Sequence, residues 1–171
     1  MCLTPAETSA KEDVMYRNIL LAAALQQWDR YSVHALAARD VAAALTGPGG
    51  HLHVLSVYEY LSGRIPDSGL PAEMAARIRE QETEQTDRLM KEKMNEYVAP
   101  LMNRGATISP ILRVGSPRHL IVEVASEIEA DLVVIGSHSK RGILDIALGG
   151  TAHHVSTHAP CMVLMVAPKK K

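Results

Sequence analysis

Phenylalanine is missing from this 171-residue chain, and all aromatic residues together make up 4% of it. A core built from such a sequence must rest on Val, Ile, Leu, Ala and Met. Stacking platforms for single-stranded nucleic acid are correspondingly scarce. Cysteine is short as well. Cys2 and Cys161 lie far apart and supply neither a disulfide framework nor a four-cysteine zinc site, which points to a reducing compartment. Nor does either charge dominate: 18 Lys and Arg stand against 19 Asp and Glu, for a net charge of -1 and a pI near 6.7. The basic field that nucleic-acid binding needs is therefore absent. No apolar run approaches the ~20 residues of a membrane-spanning helix. The short run at residues 19–25 follows Glu7, Glu12 and Asp13 instead of a basic stretch, which argues against a secretory signal. The expectation is a cytoplasmic protein with neither a membrane nor a nucleic acid as partner.

What the chain does contain is ordinary for a globular protein: 47% apolar and 22% charged residues, over a length that suits one domain with a substantial core. Residues 1–15 read as a flexible polar tail and 168–171 as a basic one, leaving a single domain at 16–167. Within it, hydrophobic patterning predicts strands at 18–24, 51–58, 106–114, 131–136 and 161–166. Helical spacing predicts helices at 31–45, at 71–103, from Ser116 onward, and at 149–158. The first is stopped by Gly47, Pro48, Gly49 and Gly50, and residues 59–70 form a loop. Ser116 and Pro117 make a good helix start, with Ser able to cap and Pro suited to the first helical position. Residues 79–88 include no apolar side chain, so the long helix projects partly into solvent, and Leu89, Met90, Met94, Val98 and Leu101 pack its second half. In the third helix Leu120, Val124 and Ile128, beside Ile121 and Ala125, form the buried stripe. Strands alternating with helices need crossover connections and hence a parallel sheet. The fold class is α/β, one doubly wound domain, in which ligands bind beyond the carboxyl ends of the strands where strand order reverses. Function is therefore expected in the loops after the first, second and fourth strands.

The richest of these segments is 136–155, GSHSKRGILDIALGGTAHHV. Gly136 ends a strand and permits close backbone approach. A polar loop with His138, Ser139, Lys140 and Arg141 follows, and Gly149, Gly150 and Thr151 open a helix. Exposed N–H groups and the positive dipole end at a helix start attract phosphate. The same glycines serve equally well to allow a tight turn and close helix–sheet packing. Residue types alone leave both readings open.

Here the chain resembles the universal stress protein family. That family's signature is Gly, two residues, Gly, nine residues, Gly, then Ser or Thr, looped around the phosphates and ribose of an adenine nucleotide. Gly136 and Gly149 match it at the correct spacing. The flanking DLVVIGSH and HAPCMVLMV, together with NILLAA, HLHVLSV and VGSPRHLIVEVA, carry the likeness over residues 16–167. The resemblance implies a five-stranded parallel sheet in the order 3-2-1-4-5. It also implies an ATP-type pocket with Ala22, Ala23, Ala24 and Val57 on the base side. Ile135, Gly136, His138, Ser139, Gly149, Gly150 and Thr151 would surround the phosphates, and Lys140 and Arg141 would add charge. Three departures stand out: Ser139 replaces the second signature Gly, Gly150 occupies the Ser/Thr position with Thr151 one place later, and Ala24 stands where nucleotide-binding members carry Asp. Losing a hydrogen bond to that carboxylate costs about 1.5–3 kcal/mol, or roughly ten- to 150-fold in affinity. The pocket is expected to be degenerate, nearer the family's non-binding branch.

Nothing assembles into a catalytic set. Ser139 lacks a base and orienting carboxylate, no Gly-x-Ser-x-Gly elbow exists, GPGGH lacks the Lys-Ser/Thr of a phosphate-binding P-loop, and Asp145 reads as a solvated loop carboxylate. His154 and His158 have a zinc-like helical spacing but no companion ligands, so no metal is expected and a solvated face is read instead. His51 and His53 share one face of a strand and read as polar surface, and Cys161 reads as a small buried hydrophobe. In the implied strand order Cys161, Met162, Val163, Leu164, Met165 and Val166 form an edge without charge or internal proline. A bare apolar edge invites pairing, so a homodimer through this strand about a two-fold is expected. The functional expectation is a dimeric stress-linked regulator or binding module with an unidentified client, and not an enzyme. One alternative is a weak ATP hydrolase using the same loop, against which stands the missing carboxylate. Another is an electron-transfer or pyrophosphatase-like subunit, for which no flavin or reaction motif is found.

Overall fold

The computed structural model describes residues 16–25, 31–60, 71–102, 104–137 and 149–167. The expected tails and most of the expected loop, at 61–70, lie outside them. β1 (Asn18–Ala22) is short and apolar, a composition that is stable where both faces are covered. It takes the central place. β2 (His51–Tyr58) and β4 (Leu132–Gly136) pair with it in parallel on either side, with Ala22 level with both Leu55 and Ile135. β3 (Thr107–Val114) and β5 (Met162–Val166) form the two edges, giving the order β3-β2-β1-β4-β5 that the resemblance implied. The Asp131 carboxylate accepts the N–H groups of Arg17 and Asn18 at 2.7 and 2.8 Å and ties the start of β1 to that of β4.

The period-2 alternation of each strand builds two core layers. Ile19, Leu21, Leu52, Val54, Leu132 and Val134 meet α1 (Val33–Leu45) and the second half of α2 (Ala72–Val98). Leu20, Leu55, Val133 and Ile135 meet α3 (Pro117–Glu127) and α4 (Gly150–His158) on the other face. With no Phe to fill these layers, Tyr carries the aromatic burden. Tyr97 is fully buried and its hydroxyl donates to the Ala35 carbonyl at 2.6 Å, joining α2 to α1. The Tyr31 hydroxyl donates to the Lys93 carbonyl at 2.8 Å beside the Glu96 carboxylate, and burial followed by that carboxylate pushes it up to about 12. Tyr58 and Tyr60 both donate to Asp87, at 2.7 and 2.9 Å. The polar middle of α2 is thus pinned by a carboxylate that its composition marked only as solvated.

Element boundaries differ from expectation by a residue or two, except at the end of α2, which stops at Val98 where the spacing ran the helix to 103. β1 ends at Ala22, although the Ala23 N–H still donates to Leu55 at 2.8 Å. α1 begins after Ser32, whose hydroxyl accepts from the Ala35 N–H at 3.1 Å, and Gly49 turns the chain out of it at φ 78°, where glycine has no Cβ to strain. α2 gives way at Val98 to a single 3-10 turn, Ala99–Leu101. The buried stripe of α2 is Met90, Met94, Tyr97 and Val98, continued by Leu101 of the 3-10 turn, while Leu89 is 49% exposed, being one residue and so about 100° out of phase. In α3 the stripe centres on Ile121, Val124 and Ala125, with Leu120 and Ile128 half-buried at its margins. Ser116 holds the cap position there but its side chain makes no cap hydrogen bond; Pro117 alone sets the start. Among the described residues no helix is long and apolar enough to cross a membrane.

The two edges are unlike. β3 turns the N–H groups of Thr107 and Gly115 toward β2, so the intervening even residues, Pro110 among them, direct their backbone groups outward. β5 has no proline, and Met162 and Leu164 are 57% and 37% exposed.

His51 and His53 share one strand face, as read, but they are half-buried, with rings stacked at 3.8 Å and His51 Nε2 2.7 Å from the Ser109 hydroxyl. Burial first, then the neighbouring His51, pulls His53 down to about 4. A histidine held neutral in the fold contributes fully above its unfolded value of about 6.5 and loses that contribution as acid charges the unfolded chain. Stability measured by urea unfolding should therefore fall between pH 6.5 and 4, and His53→Gln should flatten that slope. An unchanged slope would show that His53 is solvated.

Candidate functional site

Parallel strands joined by right-handed crossovers place the amino ends of α1, α3 and α4 at the carboxyl edge of the sheet. Strand order reverses between β1 and β4, so the crevice opens beyond Ala22 and Ile135. Ala22 and Ala23 are buried there, and Ala24, the next residue, is exposed. Val57 is half-buried on β2 and lies against the α3/α4 core layer. Ile135 is buried and Gly136 ends β4, with the Ser137 N–H donating to Val166 at 2.9 Å. Gly149 caps α4, Gly150 begins it and Thr151 is half-buried, while Ala152 and Val155 anchor the helix in the core layer beneath. These positions meet at one end of the sheet. His138 and Ser139, with Lys140, Arg141 and Asp145, lie outside the described residues.

The two glycines have different neighbours. A Cβ on Gly136 would sit 3.0 Å from the His34 carbonyl oxygen and 3.1 Å from its carbon. What approaches this strand end is therefore the first turn of α1, a packing role. Among the described residues a Cβ on Gly150 would meet only the Arg118 guanidinium, at 3.5 Å, which is ordinary contact. Arg118 belongs to the first turn of α3, and neither α3 nor α4 has an acidic residue in its first turn. Sequence reading passed over Arg118, although its place directly after Pro117 puts it at this end of the helix. It also missed Ser56, fully buried one place before Val57, whose hydroxyl has no partner among the described residues. No local pattern marks that atom.

His154 and His158 do share a helix face, their rings stacked at 4.1 Å, and His119 of α3 joins them with its ring 5.1 Å from His154. Among the described residues no three His, Cys, Asp or Glu side chains are placed to hold a metal ion. Cys161 is half-buried just ahead of β5, and burial followed by Asp131 raises its thiol pKa.

The glycine contrast is open to test. Gly136→Ala should destabilise the fold by about 1–3 kcal/mol through overpacking against α1. Gly150→Ala, in an exposed helical position with room for the methyl, should leave stability level or raise it by about 0.5–1 kcal/mol. Chemical denaturation of both variants decides it, and equal losses would place Gly150 in a packing role too.

The model of the Universal stress protein family matches residues 15–167. Universal stress protein E homolog of Haemophilus influenzae is 43% identical over 60 residues, which are 35% of this chain and 19% of that protein. Universal stress protein MJ0531 of Methanocaldococcus jannaschii is 33% identical over 110 residues, 62% of this chain and 61% of that protein. The chain thus spans less than two thirds of the length of either relative. Among solved structures, hypothetical protein MJ0577 of the same archaeon superposes with a TM-score of 0.67 at 24% identity, covering 92% of this chain and 99% of that one. A universal stress protein in complex with cAMP gives 0.61 at 20% identity, covering 90% and 98%. A family protein of Arabidopsis thaliana with AMP bound gives 0.60 at 15%, covering 89% and 92%. At these identities the structures speak for the fold, and the family model, which takes in all five strands of the sheet, speaks for kinship: the chain belongs to the universal stress protein family.

Proposed function

We propose that this protein is a dimeric, non-catalytic regulatory module of the cytoplasm that carries a degenerate adenine-nucleotide pocket at the crest between β1 and β4. The observation that carries this reading is the exposed Ala24 at the switch point, at the same end of the sheet as the start of α4. The nucleoside end and the phosphate end of a nucleotide are thereby served by one crevice. That fold neighbours hold cAMP and AMP supports an adenine nucleotide as the ligand class. In this reading Ala22, Ala23, Ala24 and Val57 border the base, and Ile135, Gly136, His138, Ser139, Gly149, Gly150 and Thr151 border the phosphates. With a methyl at position 24, the nucleoside has no charged acceptor and affinity is correspondingly low. A second reading, slow ATP hydrolysis by the same loop, lacks a carboxylate at that position to hold a metal.

The dimer is proposed through β5 and the preceding Cys161. Outward Met162 and Leu164 expose apolar surface along an edge with no strand partner among the described residues, and a two-fold strand pair would cover both.

Installing the carboxylate with Ala24→Asp should raise ATP affinity by about tenfold or more, read by calorimetry and by thermal shift with ATP, ADP, AMP and cAMP. No gain would mean that position 24 does not face the nucleoside. Phosphate release from ATP should stay at the level of a protein-free control, and release above it would favour the hydrolase. Leu164→Lys should convert the dimer to a monomer by light scattering at micromolar concentration. A variant that remains dimeric moves the interface elsewhere.

A further inference from the structure

α4 ends in a pair of imidazoles. His154 and His158 stand four residues apart on one face of the helix, their rings stacked at 4.1 Å with 14° between the planes. Both reach the surface, His154 half-buried and His158 exposed. The His158 Nδ1 lies 2.9 Å from the His154 carbonyl oxygen. The Thr157 hydroxyl, itself bonded to the same carbonyl at 2.9 Å, lies 2.7 Å from that nitrogen. A carbonyl only accepts, so Nδ1 carries the proton of the neutral ring and Nε2 keeps its lone pair. An N–H held by a backbone carbonyl is the arrangement that orients a metal-binding imidazole and raises its basicity.

The helix field suits a cation here. His158 is the last residue of α4, and His154 is one turn before it, toward the end where carbonyls go unpaired and the dipole is negative. Arg118 stands by the other end, against Gly150, about 12 Å of helix from His158. Desolvation first, then His158, His119, Arg118 and His153, lowers the His154 pKa, so this ring keeps the neutral form that a metal needs. The His119 ring reaches His154 from α3 at 5.1 Å, but among the described residues no three such side chains converge. Two imidazoles with water make a shell that nickel(II) and copper(II) accept in square or tetragonal form. Zinc(II) prefers four close ligands, and magnesium and calcium prefer oxygen.

We propose that His154 and His158 form a two-imidazole chelate for a late first-row divalent ion, nickel(II) or copper(II) by preference, held through the two Nε2 atoms with water completing the shell. Stacked rings have to tilt before both lone pairs meet one ion. His154 supplies the tilt, since torsions about Cβ–Cγ are broad and its ring is held only by ring contacts among the described residues. The chelate is independent of the crest: neither a nucleotide nor the loop before α4 takes part in it.

Calorimetry of the untagged full chain, stripped with a chelator and titrated with nickel(II), tests this. His154→Gln and His158→Gln should each weaken binding by about tenfold or more, since losing even an outer-shell partner costs a metal site roughly 10- to 100-fold. His51→Gln breaks the other close imidazole pair and should change nothing. Nickel(II) should also raise the thermal midpoint of the wild type and of neither α4 variant, because the two rings converge only in the folded helix. With zinc(II), which is diamagnetic, nitrogen-15 spectra of the histidines should show Nε2 of both rings shifted and the His158 Nδ1 still protonated. Equal nickel(II) affinity in the wild type and both α4 variants overturns the chelate. So does a loss confined to His51→Gln, or magnesium binding as well as nickel(II).

Discussion

Burial of β1 on both faces and both edges is the constraint on which this structure turns. Ile19, Leu20 and Leu21 are fully buried and offer nothing but backbone to their neighbours, so a strand must lie on each side. The chain lays down β2 and β3 on one side and then crosses back over β1 to place β4 on the other. That return leaves a gap at the carboxyl edge, because the connections from β1 and β4 depart in opposite directions. The pocket proposed here is a by-product of completing the core.

The packing of α1 against Gly136 shows how closely the core and the crevice are bound together. The His34 backbone occupies the space that a side chain at the end of β4 would need, so α1 closes one wall of the crest at a glycine that a signature would assign to the ligand. Gly150, by contrast, has among the described residues only a guanidinium at ordinary contact distance. In the proposed reading the crest has a methyl, at Ala24, where the resemblance places a carboxylate in nucleotide-binding members, and Arg118 stands beside the start of α4. Both features make the local field more positive, which favours the charged end of a ligand over its base.

Much of this fold is legible in the residue order, because strand and helix periods differ and Gly and Pro punctuate them. All five strands and four helices fall where patterning puts them, to within a few residues, and the strand order follows from kinship with a known family. Phase was harder. Leu89 looks as apolar as Met90, and only the neighbours of α2 decide which of the two points inward. Contacts between distant segments had no local trace at all: Asp87 reads as one more charge on a polar helix until two tyrosines from the end of β2 reach it. The histidines illustrate the same limit. Spacing aligned His154 with His158, but not His119, which sits on another helix with its ring against that of His154. At the site, Ala24 and the glycines were readable by register along the strands, whereas Arg118 and Ser56 owe their interest to neighbours far away in the chain.

The unlike margins of the sheet carry a consequence for assembly. At Pro110 the outward-facing nitrogen of β3 bears no hydrogen, so an incoming strand would find a gap in the row of donors it must match. β5 offers an unbroken row. A sheet with one bondable margin can be extended once, by a copy that spends its own margin in the same act. In the proposed dimer, pairing through β5 would spend the unbroken margin of both copies at once and leave outermost the β3 margins that Pro110 interrupts.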